Sequence, residues 1–139
     1  MLVLSRDVYR AVLEHAREDA PREACGMLSG RDGGDRTRVL TAYRTANVAE
    51  TPRLTYRMDP DEQYATMATI EDHGQSVVGF YHSHPAGPDS PSATDVERAD
   101  WPDHHYLIVS LARRPPVLDA WRWTGEQFYG ETVTVDPPR

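Results

Sequence analysis

Nine residues at 76–84, SVVGFYHSH, most constrain the fold of this chain. They are apolar, rich in valine and aromatics, and stopped by Pro85. That pattern predicts a strand in the middle of a sheet, because a continuous apolar run leaves neither face for water. Such a strand needs packed layers above and below it. Around it the chain alternates helical and extended patterns without strict strand–helix–strand repetition. The expected class is therefore α/β in the mixed sense: one mixed sheet with helices on its faces. At 139 residues the chain fits a single domain, 1–139, large enough to build a core without metal or disulfide staples.

The flanking elements have legible boundaries. Ser5 caps a predicted helix over 5–19, with Val8, Ala11, Val12, Leu13 and Ala16 to one side, and Pro21 ends it. Residues 24–30 and 37–46 read as two strands around the turn GRDGGD. RLTYRM at 53–58 reads as another strand. Asp59, Pro60 and Glu62 open a second helix that Gly74 closes. SPSATDVERAD starts a third, with Ser90 as its cap and Pro91 in its first position; Trp101–Pro102 closes it. HYLIVSLA is a second buried strand, and PVLDAWRW and QFYGETVTV read as edge strands. The tail DPPR at 136–139 is expected to fray.

The chemistry concentrates at 82–95, HSHPAGPDSPSATD. His82 and His84 are two apart on a strand and so project from the same face. Neutral imidazole is a good zinc ligand, and Asp95, arriving from the following helix, offers a third. Two nitrogens and one carboxylate oxygen leave a fourth position for water, as catalytic zinc sites do. Ser92 lies three residues before Asp95, on the same helical face, where its hydroxyl can donate to a developing oxyanion. Ser-x-x-Asp is equally a capping pattern, and singly each of these residues has an ordinary structural reading. Their joint placement favours metal. Hydrolysis also needs a proton carrier. Glu23, among small and apolar neighbours before a strand, is the candidate, although pattern alone makes it a solvated carboxylate.

With these residues in place, a resemblance can be named. HSHPAGPDSPSATD matches the signature of the JAMM, or MPN+, metalloproteases: His-x-His-Pro, six residues, Ser, two residues, Asp. EACGML resembles the segment holding that family's catalytic glutamate. The likeness spans about residues 2–130 and is greatest to the short stand-alone prokaryotic branch, which includes a sulfur-carrier-protein–cysteine protease. It implies a cytidine-deaminase-like three-layer sandwich and one Zn2+ per chain on His82, His84 and Asp95. It also implies Glu23 as general acid/base and Ser92 stabilising the tetrahedral intermediate. The implied reaction is hydrolysis of the amide or isopeptide bond after the Gly-Gly tail of a ubiquitin-like or sulfur-carrier protein. That tail would bind extended, by strand addition at a sheet edge.

Two other readings stand beside it: a non-catalytic scaffold of the same fold, and a zinc hydrolase for a small amide or nucleic acid. A net charge of −7 disfavours gripping nucleic acid phosphates. No apolar run approaches the length of a membrane helix, and the lone cysteine suits a reducing compartment, so a cytoplasmic protein is expected. A homodimer is left open. Cys25 is expected to be an inert buried thiol. His104 and His105 are expected to be structural, His15 and His73 solvated at helix ends, and Trp121 and Trp123 to share a core face. The GPDSP loop at 87–91 reads as a connector or as a flap beside the metal.

Overall fold

The structure is a computed structural model and describes residues 1–136. In chain order it contains β1 (Leu2–Leu4), α1 (Arg6–Asp19), β2 (Cys25–Asp32), β3 (Thr37–Thr45), α2 (Pro60–Asp72) and β4 (Ser76–His84). These are followed by α3 (Ala93–Arg98), β5 (His105–Ser110), β6 (Val117–Trp123), β7 (Phe128–Glu131) and β8 (Val133–Val135). The strands form one mixed sheet in the order β7-β6-β5-β4-β2-β3-β1-β8. β4 lies in its middle, antiparallel to β2 and parallel to β5. The expected mixed sheet with helices on its faces is the observed architecture.

Two hydrophobic clusters occupy opposite faces. α1 lays Val8, Val12, Leu13 and Ala16 onto Leu28, Val39, Tyr81, Leu107 and Val109. On the other face Ile70 of α2 meets Met27, Phe80, Tyr106 and Trp123. Each such side chain, taken fully from water, contributes about 1.5–3 kcal/mol. The alternation in β4 breaks at one point. Leu28 pairs with Gly79 and Ser29 with Val77, leaving Val78 as the extra residue of a bulge. Val78 accordingly packs with Tyr81 on the α1 face, while Phe80 faces α2. His82 and His84 follow Phe80 at period two and share its face.

α1 starts where expected: the Ser5 hydroxyl accepts from the Val8 N–H at 3.1 Å. Asp59 caps α2, but Glu62 does not reach back to it; its carboxylate accepts from the Ala46 N–H instead. Gly74 carries φ +70 just beyond α2, which glycine adopts freely.

Four expectations are corrected. RLTYRM is not a strand. Among the described residues its only ladder contact is an isolated bridge between Met58 and Asn47, because β2 is flanked by β4 and β3, and β3 by β2 and β1, so neither offers it an open side. β6 is interior, between β5 and β7. QFYGETVTV is two strands, β7 and β8, at opposite edges of the sheet. Ser92, not Ser90, caps α3. In the tail, Asp136 donates its N–H to Leu4 and ion-pairs with Arg38; residues 137–139 lie outside the described residues. No helix among the described residues is long and apolar enough to cross a membrane.

Candidate metal centre

β4 ends with His82 and His84 side by side, and α3 brings Asp95 across from them. The Oδ2 atom of Asp95 lies 3.0 Å from His82 Nε2 and 3.0 Å from His84 Nε2, and the two nitrogens are 3.1 Å apart. One further residue completes the group. A carboxylate oxygen of Glu23 joins these atoms in a cluster whose members all lie within 4.8 Å of one another, with all four residues buried.

Several bonds hold this arrangement. His84 Nδ1 lies 2.6 Å from the Pro88 carbonyl, which only accepts, so Nδ1 carries the hydrogen. The Ser92 N–H donates to Asp95 Oδ2 at 2.9 Å while the Ser92 hydroxyl accepts from the Asp95 N–H at 3.0 Å, a reciprocal capping box. Glu23 is tied down through its backbone: its N–H donates to Pro52, and its carbonyl accepts from Asn47 Nδ2. The next residue, Ala24, exchanges bonds with Ser83 in both directions. Tyr56 stacks on His82 with ring centroids 4.4 Å apart.

The electrostatics of the cluster favour positive charge beside Asp95. A neutral His84, with its hydrogen on Nδ1, aims the Nε2 lone pair at a carboxylate oxygen 3.0 Å away. Within the protein alone a second proton on His84 relieves this. Its pKa is raised although burial opposes the rise, because the bonds to Asp95 and Pro88 favour the charged ring. Burial acts to raise Asp95, but the bonds from His82 and His84 prevail and hold it well below the usual carboxylate range. Burial lowers His82, whose Nδ1 has no hydrogen-bond partner among the described residues. Burial pushes Glu23 up to about 7, and its Oε1 is likewise unpartnered. His82, His84 and Asp95 would hold a divalent cation, since two imidazole nitrogens and one carboxylate oxygen are a donor set such an ion takes.

The four predicted residues His82, His84, Asp95 and Glu23 are thus brought together. Glu23 is buried rather than solvated, because β2 starts inside the sheet and the 46–58 segment folds over it. Ser92 adjoins the group as the cap, and Ser90 takes no part in starting α3. The cap role uses Ser92 Oγ as an acceptor and leaves its O–H free to donate. Cys25 is buried, with its thiol pushed up to about 11 by burial, so it holds its proton. His105 is buried against Glu131, and His104 bonds the Pro102 carbonyl; neither approaches the cluster. His15 is not solvated: it is 4% exposed and bonds the Tyr81 hydroxyl at 2.7 Å. His73 is exposed as expected, and Trp121 and Trp123 pack in the α2-side cluster.

The 87–91 loop is pinned as a connector. Ser110 donates to Gly87 and the Trp121 indole to Asp89. The free sheet edges are β7 and β8, and β4 is flanked on both sides, so no open edge of the sheet adjoins the cluster. The chain bordering it is the irregular 46–58 segment, which turns at 52–54. Two residues there, Asn47 and Tyr56, carried no signal in the sequence.

This geometry agrees with the comparison to known proteins. Residues 5–124 match the family described as prokaryotic homologs of the JAB domain. The chain belongs to that family. It is 45% identical to the desampylase of Haloferax volcanii, covering 97% of this chain and 96% of that one. It is 41% identical to the CysO-cysteine peptidase of Mycobacterium tuberculosis, over 79% of this chain and 73% of the relative. A solution structure of a Desulfitobacterium hafniense protein superposes with a TM-score of 0.90 at 34% identity, covering 99% of this chain and 94% of that one.

Proposed function

We propose that this JAB-domain chain is a one-domain zinc peptidase that hydrolyses the amide or isopeptide bond after the Gly-Gly tail of a ubiquitin-like or sulfur-carrier protein. The observation that carries this reading is the convergence of His82, His84 and Asp95 beside a buried, unpartnered Glu23. The desampylase and peptidase relatives support the same class of reaction.

In this reading His82, His84 and Asp95 hold the ion. When bound, it supplies Lewis acidity and a water of lowered pKa. Glu23 accepts a proton from the attacking water and delivers it to the leaving amine. The Ser92 O–H donates to the oxygen on which negative charge develops. The Pro88 carbonyl and the Ser92 N–H orient His84 and Asp95, and Asn47 and Pro52 orient Glu23.

Purified protein should contain about one zinc per chain and cleave a ubiquitin-like protein joined through Gly-Gly to a lysine side chain. Glu23→Gln should retain the zinc and lose cleavage. A protein that binds no zinc at micromolar concentration, or a fully active Glu23→Gln variant, removes this reading.

A further inference from the structure

A cavity of about 550 Å³ opens beside the cluster, between the start of α2 and the end of α3. Phe80, Trp101 and Tyr106 provide aromatic walls, and Arg57 and Arg98 stand at its rim. Its walls include neighbours of the candidate metal centre. Tyr56, another wall residue, is the ring stacked on His82; Phe80 lies two residues before His82 on the same strand face; Arg98 follows Asp95 by one helical turn.

A Gly-Gly tail has no side chains and cannot fill such a space, so the cavity addresses another part of the substrate. Its chemistry is specific. In a chain of net charge −7, two guanidinium groups border one pocket, and neither forms an ion pair among the described residues. Asp100 also lines the pocket without lying within ion-pair distance of either. Arg98 donates to the Thr55 hydroxyl at 3.4 Å, which directs it toward the 46–58 segment carrying Arg57. Guanidinium forks match carboxylates, and aromatic walls accept an apolar or aromatic side chain.

We infer that this cavity is a substrate subsite for a carboxylate with an apolar or aromatic group beside it. Arg57 and Arg98 recognise the carboxylate, and Phe80, Trp101 and Tyr106 the apolar group. Two sources offer this chemistry: a leaving residue with a free α-carboxylate, and an acidic residue next to an apolar one upstream of the Gly-Gly tail. Assigning the subsite to substrate rests on the hydrolase reading above; its ligand chemistry does not.

The first test therefore reads binding alone. N-acetyl-L-phenylalanine and its amide are titrated into zinc-loaded protein by calorimetry. The carboxylate should bind at least about tenfold tighter, and an Arg57→Gln/Arg98→Gln double variant should lose that preference. Both arginines are exposed, so the variant should keep its melting temperature. Equal affinities, or a preference that survives the double variant, overturn the subsite. The second test compares kcat/KM for Gly-Gly-linked substrates that differ only in a free or amidated carboxylate on the leaving residue, then only in a Glu or Gln upstream of the tail. A roughly tenfold preference in one arm, lost in the double variant, identifies the source. No preference in either arm overturns the assignment to substrate while leaving the hydrolase reading intact.

Discussion

Glu23 shows how one residue couples stability to chemistry. The residue is 4% exposed, and burial raises its pKa from 4.5 to about 7. The folded metal-free protein therefore holds this proton more tightly than the unfolded chain does. Stability from Glu23 is fully present below pH 4.5, falls as pH rises through about 7, and stays lost above it. The difference amounts to about 3 kcal/mol. Glu23→Gln should thus stabilise the metal-free protein at pH 8, by up to about 3 kcal/mol in denaturant unfolding, and have little effect at pH 4.5. Equal effects at the two pH values would show that Glu23 titrates normally. Ser92 carries two separable jobs. Losing its cap should cost about 1 kcal/mol in Ser92→Ala, seen as a melting temperature lower by about 4 °C. Losing its hydroxyl as an oxyanion donor should lower kcat by about 10²–10³-fold. A rate within a few-fold of the parent, alongside the lower melting temperature, would leave Ser92 with the cap role only.

Among the elements, the irregular 46–58 segment matters as much as any strand. Asn47 organises it: its Nδ2 donates to Glu23, Thr55 and Pro52, and its Oδ1 accepts from the Ala49 and Arg57 N–H groups. Arg22 in turn donates to the Asn47 carbonyl. This one buried amide fixes the backbone of Glu23 and the approach to Tyr56. Asn47→Ala orphans several buried backbone groups at once and should cost about 3 kcal/mol. Activity should fall further than stability, because Glu23 loses its anchor, and faster proteolysis within 46–58 should accompany the loss. A variant as stable and as resistant as the parent would contradict this. RLTYRM looked like a strand because its composition suits one; what it lacks is an open partner, and pairing is a property of the sheet rather than of the segment. α3 illustrates the opposite limit. Ser90–Pro91 and Ser92-x-x-Asp95 both satisfy local capping rules, and the choice between them falls to Asp95, whose Oδ2 meets the Ser92 N–H and both histidines.

At the level of the whole molecule, the two ends of the sheet meet. β7 and β8 are its opposite edges, yet only Thr132 separates them in sequence, and two residues of extended chain span at most about 7 Å. The sheet therefore curls until its edges adjoin, with Glu131 bonded to His105 and near the Met1 amino group. No local pattern in QFYGETVTV encodes that split, since it follows from the curvature of eight strands together. β4, α1, α2 and the His82–His84–Asp95 spacing were legible because each is set by neighbours within a few residues. The burial of Glu23, the Asn47 hub and the His15–Tyr81 bond were not, because their partners lie 24 to 66 residues away. The candidate centre joins these distant parts: β4 supplies His82 and His84, α3 supplies Asp95, and the entry to β2 supplies Glu23. An ion bound there crosslinks β4 to α3 only in the folded state and should stabilise the whole chain by mass action. At free zinc one hundred times its dissociation constant the gain is about 2.7 kcal/mol. For a chain of this size the metal-free protein should then melt about 10 °C higher on adding zinc. Asp95→Asn, which removes the one anionic ligand without removing the Ser92 cap, should abolish most of that shift. If it melts higher by the same amount as the parent, zinc is binding elsewhere, and the cluster at the end of β4 is not the site that holds it.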